Sequence, residues 1–226
     1  MAILIDFEGI DGSGKGTQAS LLQQSLQSRG ISVGMISFPQ YGQTTFAKGV
    51  ADFLNGSYGA LSEVNPYLVS LLYAGDRFES RNKLLDLMDA HQVLILDRYV
   101  PSNMAHQGSK CDGAERKKLL EWIEAIEFGV YRLPRPNLVL WLDLPVRLAH
   151  ERIAAKKPRD YTDAITDLQE ADLEHLVRTR DVYQFLAQSD PYWESIPATD
   201  QDRPLEISVI AERIERAVAR RFPKLR

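Results

Sequence analysis

The stretch Gly9-Ile10-Asp11-Gly12-Ser13-Gly14-Lys15-Gly16-Thr17 follows the apolar segment Ala2–Phe7 and precedes a helical pattern. Glycines let a backbone curl so that successive N–H groups point inward at phosphate oxygens. A helix that begins directly after such a loop adds partial positive charge at its N-terminus. Lys15 has the position of the lysine that reaches the β and γ phosphates of a nucleotide. The stretch therefore predicts a Walker A phosphate-binding loop whose nucleotide-binding residues are Gly9, Asp11, Gly12, Ser13, Gly14, Lys15, Gly16 and Thr17.

Two details of the sequence narrow the kind of nucleotide site. Gly16 stands where a Ser or Thr hydroxyl usually binds Mg²⁺, and we expect the hydroxyl of Thr17 to serve a phosphate instead. An Asn-Lys-x-Asp guanine motif does not occur, since Asn82-Lys83 is followed by two leucines. A regulatory GTPase is therefore disfavoured.

Two aliphatic segments each end in an acid that could lie beside Mg²⁺, namely Val93–Asp97 and Leu138–Asp143. An acid at the carboxyl end of such a strand is the Walker B pattern. We favour Asp97 as the metal residue, because Arg98 follows it and places a cation for phosphate next to an acid for the metal. Asp143 is then expected to be a strand-end cap or a turn residue.

Apolar runs bounded by turn residues alternate with helical patterns along the chain, which indicates a parallel sheet covered by helices on both faces. In such sheets, ligands bind beyond the carboxyl ends of the strands. The candidate strands are Ala2–Phe7, Val33–Phe38, Val93–Leu96, Leu138–Leu142 and Trp193–Ile196. Helices are predicted around Leu21–Leu26 with a stop at Gly30, from near Pro66 through Leu84, across Leu119–Ile126, and from Pro204 through Val218.

Composition bounds the class of protein. The chain has 226 residues, of which 44% are hydrophobic and 26% charged, so it fits a single globular domain over 1–226. Its longest purely apolar runs are five residues, and it shows no secretory signal, so we expect a cytoplasmic protein without a membrane span. Cys111 is the one cysteine, which excludes disulfides within the chain and cysteine-based zinc sites. A net charge of -4 argues against a nucleic-acid partner.

The segment Asp97-Arg98-Tyr99, followed by Ser102 and Gln107-Gly108, resembles the signature of thymidylate kinases. The resemblance covers nearly the whole chain, and it includes Phe38-Pro39, the helix from Tyr73 to Glu79, and Leu142–Pro145. It implies a P-loop nucleoside-monophosphate-kinase fold with five parallel strands and a lid. It also implies transfer of the γ-phosphoryl group of ATP to dTMP, with Mg²⁺ as cofactor. A homodimer through helices near Leu68 and Leu84 is typical of this family.

The resemblance also assigns tasks to individual side chains. Asp11 matches the acid that binds the 3′-hydroxyl of the acceptor sugar, and Arg98 matches the fork that binds the acceptor phosphate. Arg77 lies near base and phosphate in the family, Asn103 matches a residue that bonds the thymine edge, and Tyr73 matches the aromatic that stacks on the base. A purely structural role remains open for each of the last three residues. Arg77 could be a solvated helix charge, Asn103 a helix cap and Tyr73 a core aromatic. The expected substrate-binding set is Asp11, Phe38, Tyr73, Arg77, Arg98, Asn103, His106 and Gln107.

One departure from the family concerns the acceptor phosphate. Many members carry an arginine directly after the Phe-Pro turn, where this chain has Gln40 and Tyr41. Either of these residues or Lys48 could replace that arginine, or Arg77 and Arg98 could bind the phosphate alone.

A second departure concerns the sugar. His106 stands where a tyrosine or phenylalanine often packs against C2′ and excludes ribose. A histidine is shorter and has polar ring nitrogens, so it could leave room near C2′ or bond a hydroxyl there, and we expect weaker selection for deoxyribose. The other histidines, His91, His150 and His175, are interpreted as surface residues.

The segment 152–172 contains Lys156-Lys157-Pro158-Arg159 and then an acidic stretch, and its place after the fourth strand is that of the lid that closes over ATP in this fold class. Some thymidylate kinases carry a transition-state arginine inside the phosphate loop, where this chain has Gly12. Others supply it from the lid. We therefore expect Arg159 to act on the transferring phosphoryl group, with Lys157 and Arg152 as alternatives; a solvated charged face is the structural alternative. The predicted catalytic set is Lys15, Asp97, Arg98 and Arg159.

Two other functions stay open at this level. A kinase for another (deoxy)nucleotide or deoxynucleoside fits the same loop, and the departures at Gln40 and His106 are its support. A P-loop ATPase or a nucleotide-sensing switch that phosphorylates no small molecule also shares the loop.

Overall fold

Five parallel strands in the order β2-β3-β1-β4-β5 form the central sheet of the computed structural model, which describes residues 2–154 and 167–225. This arrangement confirms the predicted five-stranded parallel sheet. Each predicted strand is present, with its bounds shifted by at most one residue. The strands are β1 (Ile3–Glu8), β2 (Val33–Ser37), β3 (Val93–Asp97), β4 (Leu138–Asp143) and β5 (Trp193–Pro197).

Helices cover both faces of the sheet in the described part of the chain. They are α1 (Lys15–Ser28), α2 (Thr45–Leu54), α3 (Pro66–Glu79), α4 (Arg81–Ala90), α5 (Val100–Gly108), α6 (Gly113–Glu124), α7 (Val146–Ala154), α8 (Leu168–Ala171), α9 (Leu173–Ser189) and α10 (Ile207–Arg221). A π-helical turn, Ala125–Val130, continues α6, and a 3-10 turn, Pro223–Leu225, follows α10. A small antiparallel ribbon pairs β6 (Thr199–Asp200) with β7 (Arg203–Pro204). Among the described residues, no helix is both long enough and apolar enough to cross a membrane.

Two helix predictions were wrong in their bounds. The long helix expected from Pro66 through Leu84 is two helices, because Ser80 has φ −87° and ψ 0° and serves as the last cap of α3 and the first of α4. The last helix does not begin at Pro204, because that residue pairs with Thr199 in the ribbon. The helix begins at Ile207 instead.

The core lies between the sheet and its helices, and it fixes where the functional groups emerge. Leu94, Ile95 and Leu96 of β3 are fully buried, as a central parallel strand requires. Backbone pairing continues past the strand ends: Arg98 N donates to Phe7 O, and Phe38 N donates to Asp97 O. The residues that follow β1, β2 and β3 therefore meet at one edge of the sheet.

Candidate active site

The loop between β1 and α1 wraps closely against α7. Gly12 has φ +81°, in the left-handed region that favours glycine. A Cβ atom at Gly12 would lie 2.4 Å from the carbonyl oxygen of Ala149 in α7. Gly9 is similarly close to the end of β4, where a Cβ would lie 2.8 Å from the carbonyl oxygen of Leu142. Glycine is therefore required at both positions for the loop to hold this shape.

Lys15 is the first residue of α1, and its ammonium lies inside the loop. The Nζ atom donates hydrogen bonds to the carbonyl oxygens of Gly9, at 2.8 Å, and Ile10, at 3.0 Å. Burial lowers the pKa of Lys15 to about 8, so an anion bound beside it would favour the charged form. A cleft of about 1450 Å³ opens over this loop, which we call the loop cleft. All of the predicted nucleotide-binding residues from Asp11 through Thr17 line it, whereas Gly9 only turns the chain below it.

The two candidate metal acids have different surroundings. A Cβ atom at Gly16 would lie 3.1 Å from Oδ2 of Asp97, so this carboxylate borders the first turn of α1. Asp143 instead accepts a hydrogen bond of 2.7 Å from Nε of Arg180 in α9. In the part of the chain that the structure describes, no group of three or more His, Cys, Asp or Glu residues could hold a metal by itself. A single carboxylate beside the loop suits Mg²⁺, which takes most of its ligands from phosphates and water.

Arg98 connects the end of β3 to the loop. Its φ of +67° is unusual for a residue with a side chain, and such conformations persist where the surroundings impose them. The Nη2 atom donates to Oδ1 of Asp11 at 2.8 Å. The Nη1 atom donates to Oγ of Ser102 at 3.2 Å and lies 3.3 Å from Nε2 of His106.

A second cavity lies next to the loop cleft, and we call it the inner cavity. All eight side chains of the expected substrate-binding set line it. Asp11, Phe38, Pro39, Tyr41 and Arg98 line both cavities, so the two spaces meet at the Arg98–Asp11 ion pair. The inner cavity is also lined by residues that the sequence patterns did not single out, namely Leu54, Asp167 and Gln169.

Buried amide groups face the inner cavity with hydrogen-bonding capacity left over. Nδ2 of Asn103 donates to the carbonyl oxygen of Ser70 at 3.0 Å and to Oε1 of Glu127 at 2.9 Å. The Oδ1 atom of Asn103 and both amide atoms of Gln107 are buried and have no partner among the described residues. Because buried polar groups are almost always satisfied, these atoms are suited to a polar ligand edge.

Arg77 is not a solvated helix charge, since its side chain is fully buried. Its Nε and Nη2 atoms donate to the two carboxylate oxygens of Glu127 at 2.5 Å and 2.7 Å. This partner, Glu127, lies in the π-helical turn after α6, and no sequence pattern marked it as a site residue. Asn103 is the fourth residue of α5 and not a helix cap. Tyr73 both lines the inner cavity and packs against the small apolar cluster of α2 and α3.

Of the three candidates to replace the missing arginine, Tyr41 is the one that lines the cavities. Nε2 of Gln40 donates to Ser37 O at 2.5 Å, and its Oε1 accepts from Nζ of Lys83 at 2.6 Å. Lys48 lies at the surface and pairs with Asp52 at 2.7 Å.

The interpretation of His175 as a surface residue was wrong. The residue is 5% exposed, because the first turn of α9 packs against α5, and its Nε2 atom lies 3.4 Å from Nδ1 of His106. Burial lowers the pKa of His106 well below its ordinary value and that of His175 to about 4, so both rings are neutral near pH 7. Since Arg98 and His175 contact its two nitrogens, the geometry disfavours a direct bond from His106 to a sugar hydroxyl.

Two buried acids of β1 lie beneath the site. Glu8 accepts hydrogen bonds from Tyr99 N, Ser102 N, Ser102 Oγ and Tyr183 Oη, at 2.5–3.0 Å, and these bonds attach the start of α5 to β1. Asp6 is also fully buried, but its oxygens have no hydrogen-bond donor among the described residues. Burial and the neighbouring Glu8 raise the pKa of Asp6 well above its ordinary value. Because four donors stabilise the Glu8 carboxylate, we assign the proton to Asp6.

The predicted lid is described in part. Arg152 lies in the last turn of α7, with Nη1 at 3.5 Å from the carbonyl oxygen of Gly12, and it lines the loop cleft. Arg159 and Lys157 lie outside the described residues. The chain is described again from Asp167, whose side chain caps α8 by accepting hydrogen bonds from the backbone of Gln169 and Glu170.

A phosphate-binding loop that meets a second cavity, at the carboxyl edge of a five-stranded parallel sheet, is typical of P-loop kinases. A family model described as "Thymidylate kinase" matches residues 7–207. The chain therefore belongs to the thymidylate kinase family.

Individual relatives agree with this assignment. The thymidylate kinase of Mycobacterium tuberculosis (strain ATCC 25618 / H37Rv) is 36% identical over 185 residues, which cover 82% of this chain and 86% of that one. The probable thymidylate kinase of Thermococcus kodakarensis is 32% identical, over 92% of this chain and 96% of its own. A solved structure of thymidylate kinase from Candida albicans superposes with a TM-score of 0.74 over 97% of this chain and 92% of that one, at 22% identity, which shows the shared fold.

Proposed function

We propose that the protein transfers the γ-phosphoryl group of ATP to dTMP, giving ADP and dTDP, with ATP in the loop cleft and dTMP in the inner cavity. The observation that carries the proposal is that the two cavities meet at Arg98 and Asp11. Two phosphate groups held on either side of this ion pair would approach each other, which is the main requirement of phosphoryl transfer. The relatives' names agree with dTMP as acceptor, and nothing in the comparisons favours the other kinases or a switch.

The donor phosphates are held by the loop. Backbone N–H groups of Asp11 through Thr17 surround the β phosphate, and Lys15 moves from its two carbonyl partners to the β and γ oxygens. Asp97 would hold Mg²⁺ directly or through a water molecule, since Gly16 offers no hydroxyl there. When bound, Mg²⁺ would supply charge neutralisation at the phosphate oxygens. The cytoplasm is the compartment that we expect for this reaction.

The base of dTMP is held by the amides of α5. Thymine presents an N–H donor at N3 between two carbonyl acceptors. Oδ1 of Asn103 has no partner among the described residues and accepts the N3 proton, while the free amide of Gln107 can donate to a carbonyl. Tyr73 and Phe38 line the same cavity and supply aromatic surface for the ring. Arg77 also lines this cavity, and its bidentate bond to Glu127 holds the carboxylate that orients Asn103.

When dTMP binds, Arg98 and Asp11 turn from each other to its phosphate and its sugar. The acceptor phosphate takes the fork of Arg98, and Asp11 takes the 3′-hydroxyl of the sugar. An oxygen of the acceptor phosphate then attacks the γ phosphorus, and the bond from that phosphorus to the β–γ bridging oxygen breaks, so ADP leaves. The charge that spreads over the transferring group is stabilised by Lys15 and by one lid cation. Arg159 is our first candidate for this cation, and Lys157 and Arg152 are the alternatives.

A coupled assay of ADP release tests the function. It compares dTMP, dUMP, dCMP, AMP, GMP and thymidine as acceptors at the same ATP and Mg²⁺ concentrations. We expect the highest kcat/KM for dTMP. Preference for thymidine would indicate a nucleoside kinase, preference for another monophosphate would change the acceptor, and ADP release independent of any acceptor would indicate an ATPase.

We also propose a homodimer, through a surface that differs from the one expected. Leu84 is fully buried and cannot contribute to an interface, whereas Leu68 of α3 is 63% exposed. Next to it, Tyr67 packs edge-on against Trp122 of α6, at 5.9 Å between ring centroids. Light scattering should show a dimer that Leu68→Glu shifts toward monomer, while Phe185→Glu, at an exposed position of α9, leaves it unchanged. Equal effects of both variants would contradict this surface.

A further inference from the structure

A hydrogen-bonded series of three buried polar side chains, His106, His175 and Ser109, runs inward from Arg98. Nη1 of Arg98 lies 3.3 Å from Nε2 of His106, and Nδ1 of His106 lies 3.4 Å from Nε2 of His175. Nδ1 of His175 lies 3.1 Å from Oγ of Ser109, which in turn donates to the carbonyl oxygen of His106 at 2.8 Å. Both histidines and Ser109 are at most 5% exposed. This series of hydrogen bonds therefore begins at the inner cavity with His106, passes through His175 in α9, and returns through Ser109 to the backbone of α5.

The direction of these hydrogen bonds is set at one end. A guanidinium has only donors, so Nε2 of His106 must accept from Arg98. A neutral imidazole that accepts at one nitrogen carries its proton on the other, so Nδ1 of His106 donates to Nε2 of His175. Nδ1 of His175 then carries the second proton and donates to Ser109. Oγ of Thr179, 3.5 Å from Nε2 of His175, adds a weaker contact to the same acceptor.

His106 lines the same cavity as Arg98 and Asn103, and it lies between them in the sense that it contacts Arg98 and is one helical turn from Asn103 on α5. In the proposed function, Arg98 binds the acceptor phosphate and Asn103 binds the base. The sugar of a nucleotide lies between its phosphate and its base, so the ring of His106 would face the sugar. With both nitrogens engaged, the ring presents carbon-bound hydrogens to the sugar. A 2′-hydroxyl would lose its water there without gaining a partner.

We propose that His175 is a positioning residue for substrate choice: it fixes the tautomer and orientation of His106, so that the ring offers no nitrogen to a 2′-hydroxyl and the enzyme selects deoxyribonucleotides. The proposal rests on the proposed function, because it assumes that a nucleoside monophosphate occupies the inner cavity. It concerns a residue in α9 that contacts His106 and Ser109 and does not line that cavity.

Substitutions at His175 test the proposal through the ratio of kcat/KM for dUMP to kcat/KM for UMP. His175→Leu removes the acceptor for His106, and we expect the ratio to fall by about 10-fold, mainly through a lower KM for UMP. His175→Gln places Oε1 near the lost Nε2 and should restore most of the ratio. His91→Leu, which removes a half-buried imidazole at the far side of β2, is the matched control and should leave the ratio unchanged. An unchanged ratio in folded His175→Leu, or the same loss in the Gln variant, would overturn the proposal.

Nitrogen-15 spectra of the unmodified protein give a test that needs no variant to fold. We expect His106 and His175 to be neutral near pH 7, each with its proton on Nδ1. A proton on Nε2 of His106 would overturn the proposal. Because this readout is independent of turnover, it stays informative if dTMP is not phosphorylated, which would instead overturn the proposed function.

Discussion

Arg98 at the end of β3 forms an ion pair with Asp11 in the phosphate loop, with Nη2 and Oδ1 2.8 Å apart. The two residues are 87 positions apart in sequence and lie on the boundary between the two cavities. The pair keeps a planar fork oriented before any substrate arrives. Because the guanidinium is oriented in advance, less side-chain entropy would be lost if the acceptor phosphate binds there as we propose.

Arg98→Lys keeps the positive charge but loses the planar guanidinium and its paired N–H donors. We expect kcat/KM for dTMP to fall by about 10²-fold, because a single ammonium cannot bind the phosphate in two places while meeting Ser102 and His106. The matched control is Arg180→Lys, which alters another arginine–aspartate pair, with Asp143, at a strand end outside both cavities. Steady-state kinetics check both variants. Similar losses in the two would mean that the Arg98 fork is not specific to the substrate.

Lys15→Ala should lower kcat/KM by about 10²-fold or more, since the charge on the transferring group then loses its nearest cation. The fold should persist, because the glycines determine the shape of the loop. Circular dichroism and thermal unfolding check folding, and Lys48→Ala, at an exposed lysine, controls for loss of positive charge. An unchanged rate in folded Lys15→Ala would reject the assignment of the loop.

Asp97→Asn and Asp143→Asn compare two acids at strand ends. We expect Asp97→Asn to raise the Mg²⁺ concentration needed for half-maximal rate and to lower kcat by about 10-fold or more. Asp143→Asn should have a smaller effect, since its carboxylate is engaged with Arg180. Rates measured across a Mg²⁺ titration decide between them. The opposite ranking would assign the metal to Asp143.

Arg159→Ala should reduce kcat by about 10²-fold while changing ATP affinity little, if Arg159 contacts the transferring phosphoryl group only in the transition state as we propose. Arg152→Ala tests the alternative that already lines the loop cleft, and Lys157→Ala tests the third cation. Arg147→Ala, on the same helix as Arg152 but at the surface, is the control. If all three variants kept full kcat, the lid mechanism would be rejected.

Asp6 gives a prediction about stability and pH. Burial, followed by Glu8 and Asp97, raises the pKa of Asp6 in the folded protein above the unfolded value near 4. The folded state therefore holds a proton that the unfolded state releases, so this stabilisation is present at low pH and is lost as pH rises toward the folded pKa. Relative to the unmodified protein, Asp6→Asn should gain unfolding free energy with rising pH, by up to about 1.4 kcal/mol per pH unit. Urea unfolding at pH 5, 6 and 7 measures the difference, and a constant difference would mean that Asp6 is ionised.

Short-range patterns were sufficient for the strands and for the residues at their ends. Val93–Asp97 could be read as a buried strand ending in a carboxylate, since the relevant groups are neighbours in sequence. The partners of site residues could not be read in this way. Glu127 is 50 positions from Arg77, and His175 is 69 from His106. Helical spacing indicates which side chains share a face, but it does not indicate which helix that face contacts.

The break at Ser80 shows the same limitation at the level of secondary structure. No glycine or proline separates α3 from α4, so the apolar spacing reads as one continuous helix. The start of α10 was predicted wrongly because a proline is common in the first turn of a helix. Pro204 instead belongs to the short ribbon in which β7 pairs with β6.

The contact between Gly12 and Ala149 has a consequence for genetics. An arginine at position 12 would force its Cβ against the backbone of α7, so a single change of this codon could not place the proposed transition-state cation in the loop. In a selection for growth that depends on an Arg159→Ala enzyme, suppressors should therefore arise on the lid side of the cleft. Those at position 12 should require a second change that shifts α7 near Ala149. The loop and the helix beneath it are thus constrained to vary as a unit.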